Sequence, residues 1–326
     1  MDKKTIKLKY IDHDSTVKTQ QNGPFYDILA QRYNIEFSDE PDYVIYGPFG
    51  NEHLKFFNAV KIFWTGECIA PDFNECDYAI GYDYIDFQDR YLRYPLWLKY
   101  GHEQNERMEN KHLKVKPEAL DRSFCSFVVS NDFADPMRDK LFDALNEYKK
   151  VDSGGRYRNN INHPEGVEDK LKFQSEHKFA LACENCSHPG YTTEKLMEAF
   201  EAGVVPIYWG DPKVTEEFNS YSFIDCGQFS TVEDIVNEVK RIDADDEAYL
   251  KMLYAPALNN KEHSINIRQE KLEKFLYNIF DQTKENAYRR NMQCWGKKYN
   301  DILLGQKQAF ETLQKPKKII KKLIGK

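Results

Sequence analysis

A chain of 326 residues exceeds what one hydrophobic core usually organises, so two domains are expected. Its 46 basic and 53 acidic residues leave a net charge of −7, which argues against an extended nucleic-acid-binding surface. No stretch approaches the roughly 20 apolar residues of a membrane span, and the N-terminus lacks the apolar core of a signal peptide.

Short strand-like runs separated by helical segments open the chain: TIKLKYID, YNIEFS, DYVIYG, KIFWTGE and DYAIGYD, up to about residue 83. This alternation predicts an open α/β domain. Residues 96–118 are polar and loosely patterned and read as the connection between domains. A second series starts with SFCSFVVSND (123–132), followed by a helix after Pro136 with Leu141, Phe142 and Leu145 at helical spacing. FALACEN (179–185), VVPIYWG (204–210) and YSFID (221–225) follow as strands, with a helix over 192–202 between the first two. Strand, helix and strand joined by tight loops make a parallel βαβ unit. Long helical patterns fill 231–281. The expected domains are 1–118, 119–300 and a terminal segment 301–326 made of a helix and a basic amphipathic tail.

In open α/β sheets, ligands sit beyond the carboxyl ends of the strands. FALACEN ends in Glu184 and Asn185, and the next loop leads through Gly190 into a helix starting at Thr192 or Thr193. Lys195 near that start faces the positive end of the helix dipole, which costs a few tenths to about 1 kcal/mol unless an anion reverses the balance. Free backbone N–H groups, the dipole and Lys195 are therefore expected to converge on one anion, the usual arrangement for a phosphate.

The segment FALACENCSHPGYTTEKLMEAFEAGVVPIYWGDPKV resembles the donor-binding motif of the α-1,3-fucosyltransferases, with its Glu-Asn after an apolar strand, its Thr-Glu-Lys and its Val-Pro-x-Tyr-Trp-Gly strand. Residues 63–98, FWTGECIAPDFNECDYAIGYDYIDFQDRYLRYPLWL, resemble the acceptor-side segment of the bacterial members, and SFVVSNDFADPMRDKLFDALNEYKKVDSGG resembles the start of their second domain. The likeness runs in order from about residue 25 to 280. Cys183 stands where the family usually has Phe, and Thr192 where it has Val; both neighbour the site and are expected to tune it.

The resemblance implies an α/β fold of two Rossmann-like domains facing a central cleft, the GT-B type. It implies transfer of L-fucose with inversion from GDP-β-L-fucose to the 3-hydroxyl of N-acetylglucosamine in N-acetyllactosamine-type acceptors, a Lewis x-type product. The alternatives are a same-fold transferase using another nucleotide sugar such as GDP-mannose, or a GDP- or carbohydrate-binding module without turnover. By position in the motifs, Glu67 takes the base role. Glu194 meets the donor through the ribose or the fucose, with a catalytic share. Arg138 and Lys195 form the cationic pair on the diphosphate, and Asn185 and Tyr191 are donor-contacting. GDP-fucose and an oligosaccharide are the implied partners; no cofactor and no metal are required, a divalent cation being stimulatory at most.

Other signals read as structural. Cys183 and Cys186 with His188 have the opening spacing of a zinc site but lack a second ligand pair. Asp12-His13-Asp14 and Asp243-Ala244-Asp245 are Asp-x-Asp triplets of the kind that holds a metal on a diphosphate, yet Arg138 and Lys195 already supply positive charge. Trp64, Trp97 and Trp209 have apolar neighbours and read as core. The seven cysteines are odd in number and scattered, which suits a reduced, cytoplasmic chain better than a disulfide framework. The tail 315–326, with six lysines and no acid, reads after Pro316 as a short basic amphipathic helix suited to peripheral contact with the inner face of an anionic membrane.

Overall fold

The computed structural model describes residues 3–99, 117–259, 265–290 and 293–324. The chain divides into two compact units, the first formed by Met1–Gly81, Ile85–Leu92 and Lys271–Lys326, the second by Tyr82–Tyr84 and Arg93–Glu270.

In the first unit, β1 (Thr5–Ile11) is followed by α1 (Tyr26–Arg32), β2 (Asn34–Phe37), β3 (Tyr43–Tyr46), β4 (Val60–Trp64), β5 (Tyr78–Gly81) and the short β6 (Tyr91–Arg93). The sheet order is β2-β1-β3-β4-β5-β6, and β1 through β5 pair in parallel. β3, β4 and β5 are buried along their whole length, which is why they appear in the sequence as unbroken apolar runs and not as alternating ones. Trp64 is a core residue here, as is Trp97 in the second unit, whereas Trp209 is half-buried against the core of the second unit.

The second unit is built on β7 (Ser123–Phe127), α2 (Met137–Tyr148), β8 (Val151–Ser153), α3 (Lys170–Ser175), β9 (His177–Cys183), α4 (Glu194–Glu201), β10 (Val205–Trp209), β11 (Ile224–Asp225), α5 (Val232–Ala244) and α6 (Asp246–Tyr254). Its parallel sheet has the order β11-β10-β9-β7-β8, with β9 central. Leu141, Phe142 and Leu145 of α2 pack on one face with Ile235, Val239 and Ile242 of α5, while Ala199 of α4 closes on Ala180 and Val204 on the other. Both faces of β9 are thus covered, and its carboxyl end is left as the place where side chains of several loops can meet.

The chain then returns to the first unit. α7 (Ile265–Asp281) straddles the boundary, and in its second half Leu272, Leu276, Ile279 and Phe280 are buried at helical spacing. The Lys4 ammonium donates to the carbonyls of Phe280 and Gln282, each at 2.7 Å. Beyond α8 (Lys284–Ala287), Arg290 reaches the buried Asp77 carboxylate at 3.0 Å. The expected second domain, 119–300, therefore loses its end to the first unit. α9 runs from Trp295 to Ile324, so the terminal helix is there, and the tail expected as a separate short helix after Pro316 is its continuation. Of the expected connection 96–118, residues 100–116 lie outside the described ones.

Cys76, Cys125, Cys183, Cys226 and Cys294 are free thiols, four of them buried. Cys68 and Cys186 are disulfide-bonded, so the fully reduced set read from the scatter of the cysteines does not hold for these two.

Candidate active site

β9 is buried at every position and runs straight into Glu184. Thr193 caps α4 in an extended conformation, and it gives Glu184 two donors: its amide to Oε1 at 2.7 Å and its hydroxyl to Oε2 at 2.7 Å. The Lys195 ammonium donates to Glu184 Oε2 at 3.3 Å, to Thr193 Oγ1 at 3.0 Å and to Glu194 Oε1 at 3.1 Å. The Tyr208 hydroxyl stands 3.5 Å from Glu184 Oε1.

The anion expected at this helix start is therefore resident. Glu184, wholly buried, occupies the place that the free amides and the dipole were expected to offer to a phosphate. The neighbouring amides are also engaged: Gly190 N–H donates to Asp211 Oδ1 at 2.8 Å, Tyr191 N–H to the His188 carbonyl and Thr192 N–H to the Gly190 carbonyl. An open cradle of backbone amides is absent from residues 190–193. What attracts an incoming anion at this helix start is the charge of Lys195, whose own N–H groups are also engaged.

The charges are set by these contacts. Burial works to raise the Glu184 carboxyl above its ordinary value, with Lys195 and Thr193 pulling against it. At Lys195 burial works against the charge, but Glu184 and Glu194 outweigh it and carry the ammonium above its ordinary value. At Glu194 burial is outweighed by Lys195 and Lys170, which hold the carboxyl below its ordinary value. The local backbone is shaped for this cluster. Gly190 lies at φ +87°, and a Cβ there would come within 2.4 Å of the Tyr82 carbonyl oxygen; a Cβ on Gly210 would come within 2.3 Å of Glu184 Cγ.

Arg138, in the first turn of α2, is the second cation. Its side chain is nearly buried, its Nη2 donates to the Asn131 carbonyl at 2.7 Å, its guanidinium lies 5.4 Å from the Tyr157 ring centroid, and its Nε has no hydrogen-bond partner. The Asn185 carbonyl accepts from the Asp135 amide at 2.8 Å, which ties the loop after β9 to the turn that starts α2. The Asp135–Asn185 hydrogen bond brings the start of α2, which carries Arg138, to the loop after β9, and the Lys195–Glu184 contact brings the lysine to the end of the same strand. Tyr191 is buried, edge-on to Tyr82 with centroids 5.0 Å apart.

Arg138, Asn185, Tyr191, Glu194 and Lys195 are thus gathered in the second unit. Glu67 belongs to the first unit. It is exposed just beyond the carboxyl end of β4, in a turn closed by its amide donating to Thr65 Oγ1 at 2.9 Å. Sequence reasoning missed the part played by Glu184, and also Asp211 and the Asp83–His188 pair, 2.7 Å apart. Asp211 in the WGDP turn and Asp83 at the end of the apolar run DYAIGYD carried no spacing that pointed to their partners.

The demoted signals have structural work. Asp12 holds His53 at 2.7 Å, and Asp243 accepts from Lys178 at 2.7 Å and Tyr148 at 3.1 Å. Burial raises the Cys183 thiol, and His188 serves Asp83. Among the described residues no group of three or more His, Cys, Asp or Glu side chains is arranged to hold a metal ion.

Two parallel α/β sheets in succession, the second with Lys195 and Arg138 near the end of its central strand, make an α/β protein of the two-sheet kind, in which the carboxyl ends of the strands are the usual place for a ligand. Residues 8–100 match the family model of the alpha-(1,3)-fucosyltransferase FucT N-terminal domain, and residues 118–295 that of the glycosyltransferase family 10 (fucosyltransferase) C-terminal region. The chain belongs to glycosyltransferase family 10, the fucosyltransferases. It is 36% identical over 282 residues to the alpha-(1,3)-fucosyltransferase FucT of Helicobacter pylori, covering 76% of this chain and 58% of that protein. A solved alpha1,3-fucosyltransferase superimposes with a TM-score of 0.74 at 30% identity, covering 90% of this chain and 93% of that one. The structure of an alpha1,3-fucosyltransferase with GDP-fucose superimposes with a TM-score of 0.72, also at 30% identity, covering 89% of this chain and 94% of that one. The chain spans about half the length of the curated relatives it matches.

Proposed function

We propose that this chain is an inverting α-1,3-fucosyltransferase that moves L-fucose from GDP-β-L-fucose to the 3-hydroxyl of N-acetylglucosamine in N-acetyllactosamine-type acceptors, giving a Lewis x-type product. The observation that carries the reading is the grouping of Arg138, Lys195 and Glu194 at the carboxyl end of β9, in a chain of this family. Arg138 and Lys195 bind the diphosphate, the guanidinium as a planar fork and the ammonium as a compact charge. Glu194 meets the ribose or the fucose, where a carboxylate supports positive charge developing on the sugar. Asn185 and Tyr191 complete the donor contacts.

Glu67 removes the proton of the acceptor hydroxyl. The oxygen's electron pair forms the new bond to C1 of fucose on the face opposite GDP, and the C1–O bond to the β-phosphate breaks with its electrons passing to the phosphate oxygen. Diphosphate is a good leaving group when its growing charge meets two cations, so no carboxylic acid is needed to protonate it. The same reading includes a cytoplasmic setting and peripheral contact of residues 315–326 with an anionic membrane surface. No helix among the described residues is long and apolar enough to cross a membrane.

The test is to incubate the protein with GDP-fucose or GDP-mannose, with and without N-acetyllactosamine, and to follow GDP release and the product linkage by NMR. Acceptor-dependent release from GDP-fucose with a new 1,3 linkage is expected. Release from GDP-mannose alone would reassign the donor, and release from neither would reduce the chain to a binding module.

A further inference from the structure

We propose that Glu184 is a resident counter-anion of the donor site, which limits how tightly the site holds a diphosphate and so sets donor and product affinity without touching either. This rests on Lys195 binding the diphosphate, as proposed above.

All three N–H groups of Lys195 are engaged, by Glu184, Thr193 and Glu194. One ammonium thus faces two carboxylates, and they differ in what they can do. Glu194 is on the first turn of α4 with its side chain 23% exposed, so it is free to turn toward a ligand. Glu184 is fully enclosed. Its oxygens are held by the Thr193 amide and hydroxyl, with Tyr208 at 3.5 Å, and the missing side chain of Gly210 leaves just the room that its Cγ fills.

A diphosphate entering this site can displace Glu194 from the lysine, but not Glu184. It therefore meets a cation that is already half neutralised, in surroundings where charges are weakly screened. Glu184 keeps the lysine aimed and keeps its attraction moderate. The two nucleotides feel this unequally, because GDP ends in a free phosphate and carries more negative charge near neutral pH than a GDP-sugar does. A permanent buried carboxylate weighs more against the product than against the donor, and so favours release of GDP after each transfer.

The experiment is calorimetric titration of the full chain with GDP, together with the KM for GDP-fucose, for wild type, Glu184→Gln, Glu184→Asp and Lys195→Gln. Glu184→Gln is expected to lower the Kd for GDP about fivefold or more and to lower the GDP-fucose KM by a smaller factor. A carboxylate that merely scaffolds the loop would weaken both on removal, so unchanged or weaker GDP binding by folded Glu184→Gln overturns the proposal. Should that variant not fold, Glu184→Asp decides. It draws the carboxylate back from the ammonium, and the Kd for GDP is expected to fall about twofold; no tightening overturns the proposal. Lys195→Gln separates this from the donor-site reading. If it leaves GDP binding intact, Lys195 does not hold the diphosphate and both readings fall. If it weakens GDP while the Glu184 variants do not tighten it, counter-anion control alone fails.

Discussion

Glu184 and Lys195 join the end of a strand to the first turn of a helix, 3.3 Å apart, the carboxylate fully enclosed and the ammonium nearly so. The lysine placed against the helix dipole is thereby explained: its compensating anion is part of the chain, supplied by the residue next after β9.

Lys195→Ala is expected to weaken donor binding and turnover together, and also to destabilise the fold by about 3 kcal/mol, because it leaves a carboxylate buried without its partner. Urea denaturation beside donor KM and kcat checks both halves. Normal stability in the variant would contradict the buried pair.

Glu67→Gln keeps the shape of the exposed turn after β4 and removes its basicity. Turnover should fall by about 10²-fold or more, with donor affinity within about twofold of wild type. Steady-state kinetics and GDP titration give the two numbers separately, and near-normal kcat would end the base assignment.

Gly190→Ala forces a side chain onto φ +87° and toward the Tyr82 carbonyl at 2.4 Å. A loss of about 1–3 kcal/mol is expected, with weaker donor binding because the same residue's amide anchors Asp211. Thermal melting and donor titration report the two effects, and an unshifted melting temperature would show that the loop yields easily.

Asp243 links stability to pH. Burial works to raise its carboxyl, but Lys149, Lys178 and Tyr148 hold it below its ordinary 3.8. A carboxylate whose folded value is depressed stabilises the fold above its unfolded value and loses that contribution as the pH falls through the folded one. Asp243→Asn, which leaves the buried Lys178 ammonium with the residue's backbone carbonyl but without its carboxylate, is therefore expected to cost about 3 kcal/mol at neutral pH. The gap from wild type should shrink below about pH 4. Denaturation curves across that range test it, and a gap that stays constant would be inconsistent with the ion pair.

Most of the sheet framework is legible in the sequence because parallel strands buried on both faces stand out as apolar runs, as in DYVIYG and FALACEN. The shortest elements escaped: β6, β8, α3 and α8 are too short to show a period. The return of the chain after Lys271 escaped for a different reason: the spacing of Leu272, Leu276 and Phe280 defines an apolar helix face, but not the sheet on which it packs. At the candidate site, the motif pointed to Arg138, Asn185, Tyr191, Glu194 and Lys195. It did not supply Glu184 as the anion of the helix start, since a strand-end carboxylate looks the same in sequence whether it points to solvent or folds back onto Thr193.

The interrupted make-up of the two units has a practical outcome for dissecting the protein. Because 271–326 lies with the N-terminal sheet, no single nick releases either half in working order. A fragment ending near residue 270 would strip Tyr33, Tyr43 and Asp77 of Phe280, Asp281 and Arg290, and would expose the face they cover. Isolating the main body of the second unit calls for cutting the chain on both sides of residues 93–270, and the remaining unit must be rejoined by a linker from its sheet to its last three helices.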